Sequence, residues 1–308
     1  MSEAGRVCPL RYRYGAAAIR TAPERVADTL YVVGGLYGNT AALDALQAMV
    51  AAEPGPVTLC FNGDFNWFNV DDATFAQIND AVLAHDATLG NVEAELQPGA
   101  DDAGCGCAYP AAVAAAVVAR SNRIHARLKA TASRHPDHLA RLAVLPMFAR
   151  YRVGTLRVGV VHGDATALAG WDFDVAHIDD PAHQAMLITA FEAADVDVFA
   201  SSHTCTPVCR QIVPGKVLIN NGAAGLPNFH ATRHGIVTRI GRQPGPHPAE
   251  YGLGHGSQRI EALALHYDAA AWQARFLANW PAGSDAHQSY FARIAHGPAF
   301  TRAQAAPG

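Results

Sequence analysis

The chain has 308 residues, of which 50% are hydrophobic and 16% charged, a balance that suits a compact globular protein and excludes a disordered one. Its formal charge of −4, with no strong basic run, argues against tracking a nucleic-acid backbone. Six cysteines in a chain of this size do not make a disulfide scaffold, and most of the fifteen histidines are expected to be solvated or structurally satisfied.

The first twenty residues lack the uninterrupted apolar stretch of a signal peptide. The most apolar run, 111–119, is far too short to span a bilayer. The expectation is a cytoplasmic protein with reduced thiols and no membrane partner. Residues 29–35 (TLYVVGG) are β-branched and apolar and end in glycine, which predicts a buried strand. Asn39 then reads as a helix N-cap, followed by Ala42, Leu43, Leu46 and Met49 at helical spacing. A second buried strand is predicted over 57–62, a helix over 70–83 with Asp71 or Asp72 near its start, and a short strand over 87–90. This β-α-β-α-β opening argues for a parallel sheet with helices on its faces.

Residues 97–110 form a Gly/Asp/Cys-rich loop, followed by an Ala-rich helix to about 133 and a shorter helix over 138–144. Two strands are predicted within 150–162, around Val153-Gly154, then a helix over 184–194 and a strand over 196–200. Residues 211–220 read as a hairpin turning at Pro214-Gly215. Strands are predicted over 236–240 and 260–266, with the Pro/Gly-rich 243–257 between them as a loop, and the tail from 269 to about 294 as helix.

Asp64, Asn91, His162 and His203 all fall at the carboxyl ends of predicted strands, the edge where open α/β sheets hold their ligands. Singly, each has an ordinary explanation: a turn aspartate, a capping asparagine, a hydrogen-bonded histidine. Together they offer one carboxylate, one amide oxygen and two imidazoles. That mixed N/O set suits one divalent transition ion such as Mn, Fe, Zn or Ni better than Ca or Mg.

The order of motifs resembles that of the calcineurin-like metallophosphoesterases, over roughly residues 29 to 240. Gly35-Leu36-Tyr37-Gly38-Asn39 stands at that family's Asp-x-His motif, Asn62-Gly63-Asp64 at Gly-Asp and Gly90-Asn91-Val92-Glu93 at Gly-Asn-His-Asp/Glu. His162-Gly163 stands at the strand-end His, and Ser202-His203-Thr204-Cys205 at Gly-His-x-His. The resemblance implies an α/β fold with a two-sheet β-sandwich core flanked by helices. It also implies an N-terminal extension over 1–28, a metallophosphoesterase-like domain over 29–268 and a C-terminal helical extension over 269–308.

By the same resemblance, one metal site keeps all four ligands, at Asp64, Asn91, His162 and His203. The other would use positions 35, 37 and 205 beside the shared Asp64, and these are Gly35, Tyr37 and Cys205. The family's catalytic histidine is Val92, which leaves Glu93 without its customary partner. His230 and Arg233, in the loop after Gly222, are candidate catalytic substitutes, to be weighed against their reading as solvated loop residues. Cys205 is expected to face the vacated half-site, where it would pack inertly, ligate a soft metal, or pair with Cys105 or Cys107.

Three functions stay open. The leading one is a metal-dependent phosphoesterase acting on a small phosphorylated substrate through one retained metal site. The others are a catalytically inactive binding protein of that fold, and an enzyme with a rebuilt, thiol-containing centre.

Overall fold

Strands buried on both faces read as unbroken apolar runs, and the runs singled out above, joined by two further strands, assemble into two six-stranded sheets. The computed structural model describes residues 4–97, 103–242 and 245–307; parts of the loops at 97–110 and 243–257 lie outside them. Twelve strands are formed among the described residues: β1 (Glu24–Ala27), β2 (Thr29–Val33), β3 (Val57–Asn62), β4 (Asp86–Thr88), β5 (Phe148–Val153), β6 (Leu156–Val161), β7 (Val198–Ser201), β8 (Val208–Val213), β9 (Lys216–Asn220), β10 (Gly235–Arg242), β11 (Ala249–His255) and β12 (Gln258–Leu265). One sheet runs β1-β5-β6-β7-β9-β8 and the other β11-β12-β10-β2-β3-β4.

Side-chain alternation explains the layering. On β2, Leu30 and Val32 face the other sheet and meet Val158, Val160, Val198 and Ile219. Tyr31 and Val33 face outward, with Phe61 and Leu59 of β3, into a second core under helices. Those helices are α2 (Thr40–Ala51), α3 (Asp72–Val82), the short α4 (Asn91–Ala94), α5 (Ala115–Ala132) and α6 (Pro136–Leu142). The first sheet is covered by α1 (Ala16–Thr21), the short α7 (Val175–Ile178) and α8 (Gln184–Ala194), whose Leu187 and Phe191 pack on Phe199 and Leu218. The tail forms α9 (Ala269–Asn279), α10 (Asp285–His296) and α11 (Arg302–Ala305). Among the described residues no helix is long and apolar enough to cross a membrane.

Local signals explain the helix starts. Asn39 accepts a hydrogen bond from the Ala42 backbone N–H at 3.0 Å, and Asp71 does the same for Thr74 at 2.9 Å; such caps satisfy the otherwise unpaired first-turn donors. Two strands escape a sequence reading. β11 lies within the Pro/Gly-rich stretch expected to be loop, yet it pairs antiparallel with β12. β1 lies in the stretch set apart as an N-terminal extension and pairs parallel with β5. Both are edge strands, with little apolar alternation to betray them.

β2, β3 and β4 run parallel in one sheet, and β6, β7 and β9 in the other. The carboxyl ends of β3, β4, β6 and β7 are therefore the places where Asp64, Asn91, His162 and His203 leave the sandwich.

At the opposite end of the first sheet Asp197 ties three strands together. It accepts from the Arg157 backbone N–H at 3.0 Å, from the Arg157 guanidinium at 2.9 and 3.1 Å, and from Lys216 Nζ at 3.0 Å. Partial burial opposes its ionisation, but these donors hold its carboxyl down at about 2. A depressed native pKa stabilises above the unfolded value of about 4 and is lost as pH falls through the native one. Asp197→Asn is therefore expected to cost about 1–2 kcal/mol near neutral pH. Urea unfolding should show that gap closing as pH falls from about 4 to about 2.

Candidate metal centre

The site is built by glycines that let two loops touch. After β3 the chain turns through Gly63 at φ +71°, where a Cβ would lie 2.4 Å from the Gly90 backbone. A Cβ on Gly90 would lie 2.2 Å from Asp64 Oδ1. Only glycine at both positions leaves room for the Asp64 carboxylate beneath α4. There Oδ1 accepts a hydrogen bond from the Val92 backbone N–H at 3.2 Å. Glu93, expected to lack a partner, is instead the brace of this corner. It is fully buried and accepts from the backbone N–H groups of Asp64, Asn66 and Gly90 at 2.8, 3.1 and 3.3 Å. Burial, with the Asp64 carboxylate beside it, raises its pKa above the usual carboxylate range.

Four side-chain atoms converge. His162 Nε2 lies 3.1 Å from Asn91 Oδ1, 3.2 Å from His203 Nδ1 and 3.4 Å from Asp64 Oδ1. Asp64, His162 and His203 are buried, and each offers a ligand atom within 4.8 Å of the others.

The hydrogen bonds behind these atoms decide which are lone pairs. His162 Nδ1 faces the Asn62 carbonyl at 3.0 Å and His203 Nε2 faces the Cys107 carbonyl at 3.1 Å. A carbonyl only accepts, so each of those nitrogens carries the proton. In the neutral rings, His162 Nε2 and His203 Nδ1 are then acceptors. Asn91 donates its amide N–H to the Cys105 carbonyl at 2.9 Å, which turns its Oδ1 inward. Two imidazole lone pairs, an amide oxygen and a carboxylate oxygen therefore face one another with no donor among them. Only a proton or a cation reconciles them. Burial disfavours charge on His162, yet the Asp64 carboxylate holds its pKa above the ordinary value. Burial and the neighbouring His162 push His203 down to about 3.

The residues fit a divalent transition ion. Separations of 3.1–3.4 Å are those of ligands about 2.0–2.2 Å from a shared centre. Backbone carbonyls orienting the non-ligating imidazole nitrogens are the usual support of such ligands.

The expected second half-site has a different content. Tyr37 OH lies 2.6 Å from Cys205 Sγ, and Cys205 Sγ faces the His203 carbonyl at 3.4 Å. Burial raises both pKa values, so phenol and thiol stay protonated at neutral pH. The structure does not bring Cys205 into the metal-type cluster. Tyr37, Asp64 and Cys205 all have positive φ, at 55°, 53° and 54°, the left-handed region that non-glycine residues hold only where surrounding contacts compel it.

His230 and Arg233 are not brought to the site either. His230 is exposed, with its backbone N–H donated to Phe300. The Arg233 guanidinium donates to the Ala269 carbonyl and Gln273 Oε1, and neither residue lines the cavity above Asp64.

What sequence reasoning missed is the use made of Cys105-Gly106-Cys107. All six cysteines are free thiols, and the contribution of this loop is chiefly its backbone, with Cys107 Sγ lying 3.5 Å from Asn91 Nδ2. The Cys105 carbonyl orients Asn91. The Cys107 carbonyl accepts from both His203 and Trp171 Nε1, the latter at 3.1 Å. The loop is held in turn by buried Glu95, which takes hydrogen bonds from Tyr12 and Arg11, and Gly106 fits against Tyr12 and Glu95.

Among solved structures, a metallophosphoesterase from Sphaerobacter thermophilus aligns with a TM-score of 0.55 at 18% identity, over 88% of this chain and 100% of its own. A hypothetical protein from Pyrococcus horikoshii OT3 aligns with a TM-score of 0.55 at 14% identity, over 89% and 100%. No family model matches the sequence, and no curated protein matches it. The fold is that of the calcineurin-like metallophosphoesterases.

If the loop works through its carbonyls, thiols are dispensable to the centre. Cys107→Ala and Cys205→Ser are each expected to retain the parent's metal content and metal identity, as read by elemental analysis of purified protein. A fall in content or a change of metal in either variant would instead make the thiol a ligand.

Proposed function

We propose that the protein is a metal-dependent phosphoesterase that acts on a small phosphorylated molecule through one divalent ion held by Asp64, Asn91, His162 and His203. The observation that carries this reading is the meeting of four acceptor atoms at His162 Nε2, each fixed from behind by a carbonyl or a backbone N–H. The fold supports it, as does the cavity of about 370 Å3 that has Asp64, Asn91 and His203 in its lining, a size suited to a small ligand.

An ion bound there supplies Lewis acidity toward a phosphoryl oxygen and a more acidic water. The rest falls to this chain's own residues. Asp64 supplies the one carboxylate oxygen of the set, fixed by the Val92 backbone N–H. The Asn62 and Cys107 carbonyls hold the two imidazoles in the tautomers that present lone pairs inward. Tyr37 and Cys205 fill the neighbouring half-site as neutral groups, which leaves one ion rather than two. They also place an O–H and an S–H at the wall of the cavity.

One observation favours the reading as a binding protein without turnover. Val92 lines the cavity and stands where the resemblance to the calcineurin-like metallophosphoesterases implies a catalytic histidine. Its backbone carbonyl is engaged by His125 Nε2 at 3.0 Å, and burial holds the His125 pKa down at about 4. His125 thus carries no charge at neutral pH, and Val92 has no proton to give.

Two measurements test this: the first tests the ion, and the second separates turnover from binding alone. Protein purified without added metal is expected to carry about one divalent ion per chain, and His162→Ala to lose it, since the remaining ligands leave an open and weaker site. Val92→His is expected to raise metal-dependent hydrolysis of a simple phosphomonoester about 10²-fold, the low end of general-acid help. An unchanged rate with the ion still bound would favour binding without catalysis.

A further inference from the structure

The cavity over the four acceptor atoms has walls that the proposed chemistry does not need. Trp67, Tyr109, Trp171 and Tyr290 line it, with Val117 and Arg120 from the first turns of α5. Each ring is held by its neighbours. Trp67 is buried, and its centroid lies 6.4 Å from that of Tyr290, nearly edge-on at 75°. Tyr290 meets Phe68 at 4.9 Å and 74°. Tyr109 OH bonds to Ser121 Oγ at 3.0 Å, and its ring lies 6.1 Å from that of Trp171. Trp171 is fixed through Nε1 on the Cys107 carbonyl, and its ring stands edge-on to His203 at 5.1 Å and 72°. The wall therefore shares a hydrogen-bond acceptor with a candidate ligand.

The roof joins distant parts of the chain. Arg120 Nε donates to Ser289 Oγ of α10 at 2.7 Å, and Arg123 of α5 pairs with Asp285 at the start of α10. Among the described residues that line the cavity, Arg120 is the one cation. One cation beside one divalent ion suits a single phosphoryl group and not a polyphosphate chain. Pinned aromatic faces suit a flat apolar group, because little ordering cost remains when it binds. The polar lining around the rings is Arg120, Gln288 and Ser289, with Tyr37, Thr204 and Cys205 beside the metal-type cluster, and the Tyr109 hydroxyl is already bonded to Ser121.

We propose that the ligand is a phosphate ester whose organic group is a flat, apolar ring system carrying no second phosphoryl group. This deepens the phosphoesterase reading and rests on it.

The test is calorimetric binding to the protein as purified with its metal, which requires no turnover. Its probes are methylphosphonate, 1-naphthylmethylphosphonate and 1-naphthalenemethanol. Burial of roughly 100 Å2 of extra ring surface predicts that the naphthyl phosphonate binds about 50-fold or more tightly than methylphosphonate. Naphthalenemethanol, lacking the anion, is expected to bind much more weakly than the naphthyl phosphonate. Val117→Asn, an uncharged polar change at a half-buried position on the wall, should lower the ratio of naphthyl to methyl phosphonate affinity severalfold, and an unchanged ratio would overturn the assignment of this wall to the ring. Equal affinity for the two phosphonates would overturn the ring specificity while leaving phosphoryl binding intact. Equal affinity for the naphthyl phosphonate and the alcohol would overturn the phosphoryl reading, and with it the proposal.

Discussion

Four acceptor atoms meet at His162 Nε2 with no hydrogen-bond donor among them, and the rest of the site is arranged around that fact. Buried lone pairs that face one another are unfavourable unless something positive lies between them. Much of the surrounding structure keeps them facing one another. The Asn62, Cys105 and Cys107 carbonyls hold the outer atoms of His162, Asn91 and His203. The Val92 backbone N–H holds Asp64, and Glu93 holds the turn on which Asp64 sits. A side chain free to rotate would escape the repulsion; these are buried and fixed.

The sandwich makes the convergence possible. β3 and β4 lie in one sheet, β6 and β7 in the other, so the four residues arrive in pairs across the gap between sheets. Gly63 touches Gly90 within one sheet, and the gap between the sheets is narrow enough that a Cβ on Gly63 would also lie 2.8 Å from His162 Nδ1. Deleting a methylene in the core beneath would be felt at these ends, because close-packed interiors transmit strain. Sheet packing and site geometry are in this sense one problem.

Much of this is legible in the sequence. Most strands that carry the site are buried on both faces, so they appear as apolar runs; β3 and β4 lead to Gly63 and Gly90, β6 directly into His162, and β7 through two serines to His203. The caps at Asn39 and Asp71 are equally plain, because the physical need they meet is local. What stays hidden is of two kinds. β1 and β11 are edge strands whose pairing is decided by a distant partner: Glu24 and Arg25 are exposed, and Gly252 and Gly254 interrupt β11. The other kind is chemistry done by backbone. Cys105-Gly106-Cys107 draws attention to two thiols, while the loop acts through two carbonyls that any residue would supply. Glu93 looks stranded once position 92 is valine, yet its partners are backbone N–H groups that no motif records. His230 and Arg233 show the converse. Their side chains are chemically suitable, but they lie in a loop that packs toward the tail, where Phe300 and α9 engage them.

In the proposed reading Tyr37 and Cys205 close the second half-site and limit the centre to one ion, and X-ray absorption at the edge of the bound metal tests that proposal most directly. The account predicts a first shell of nitrogen and oxygen only, with the outer-shell signature of two imidazoles. A sulfur neighbour at about 2.3 Å, or a second metal at about 3.5–4 Å, would contradict it.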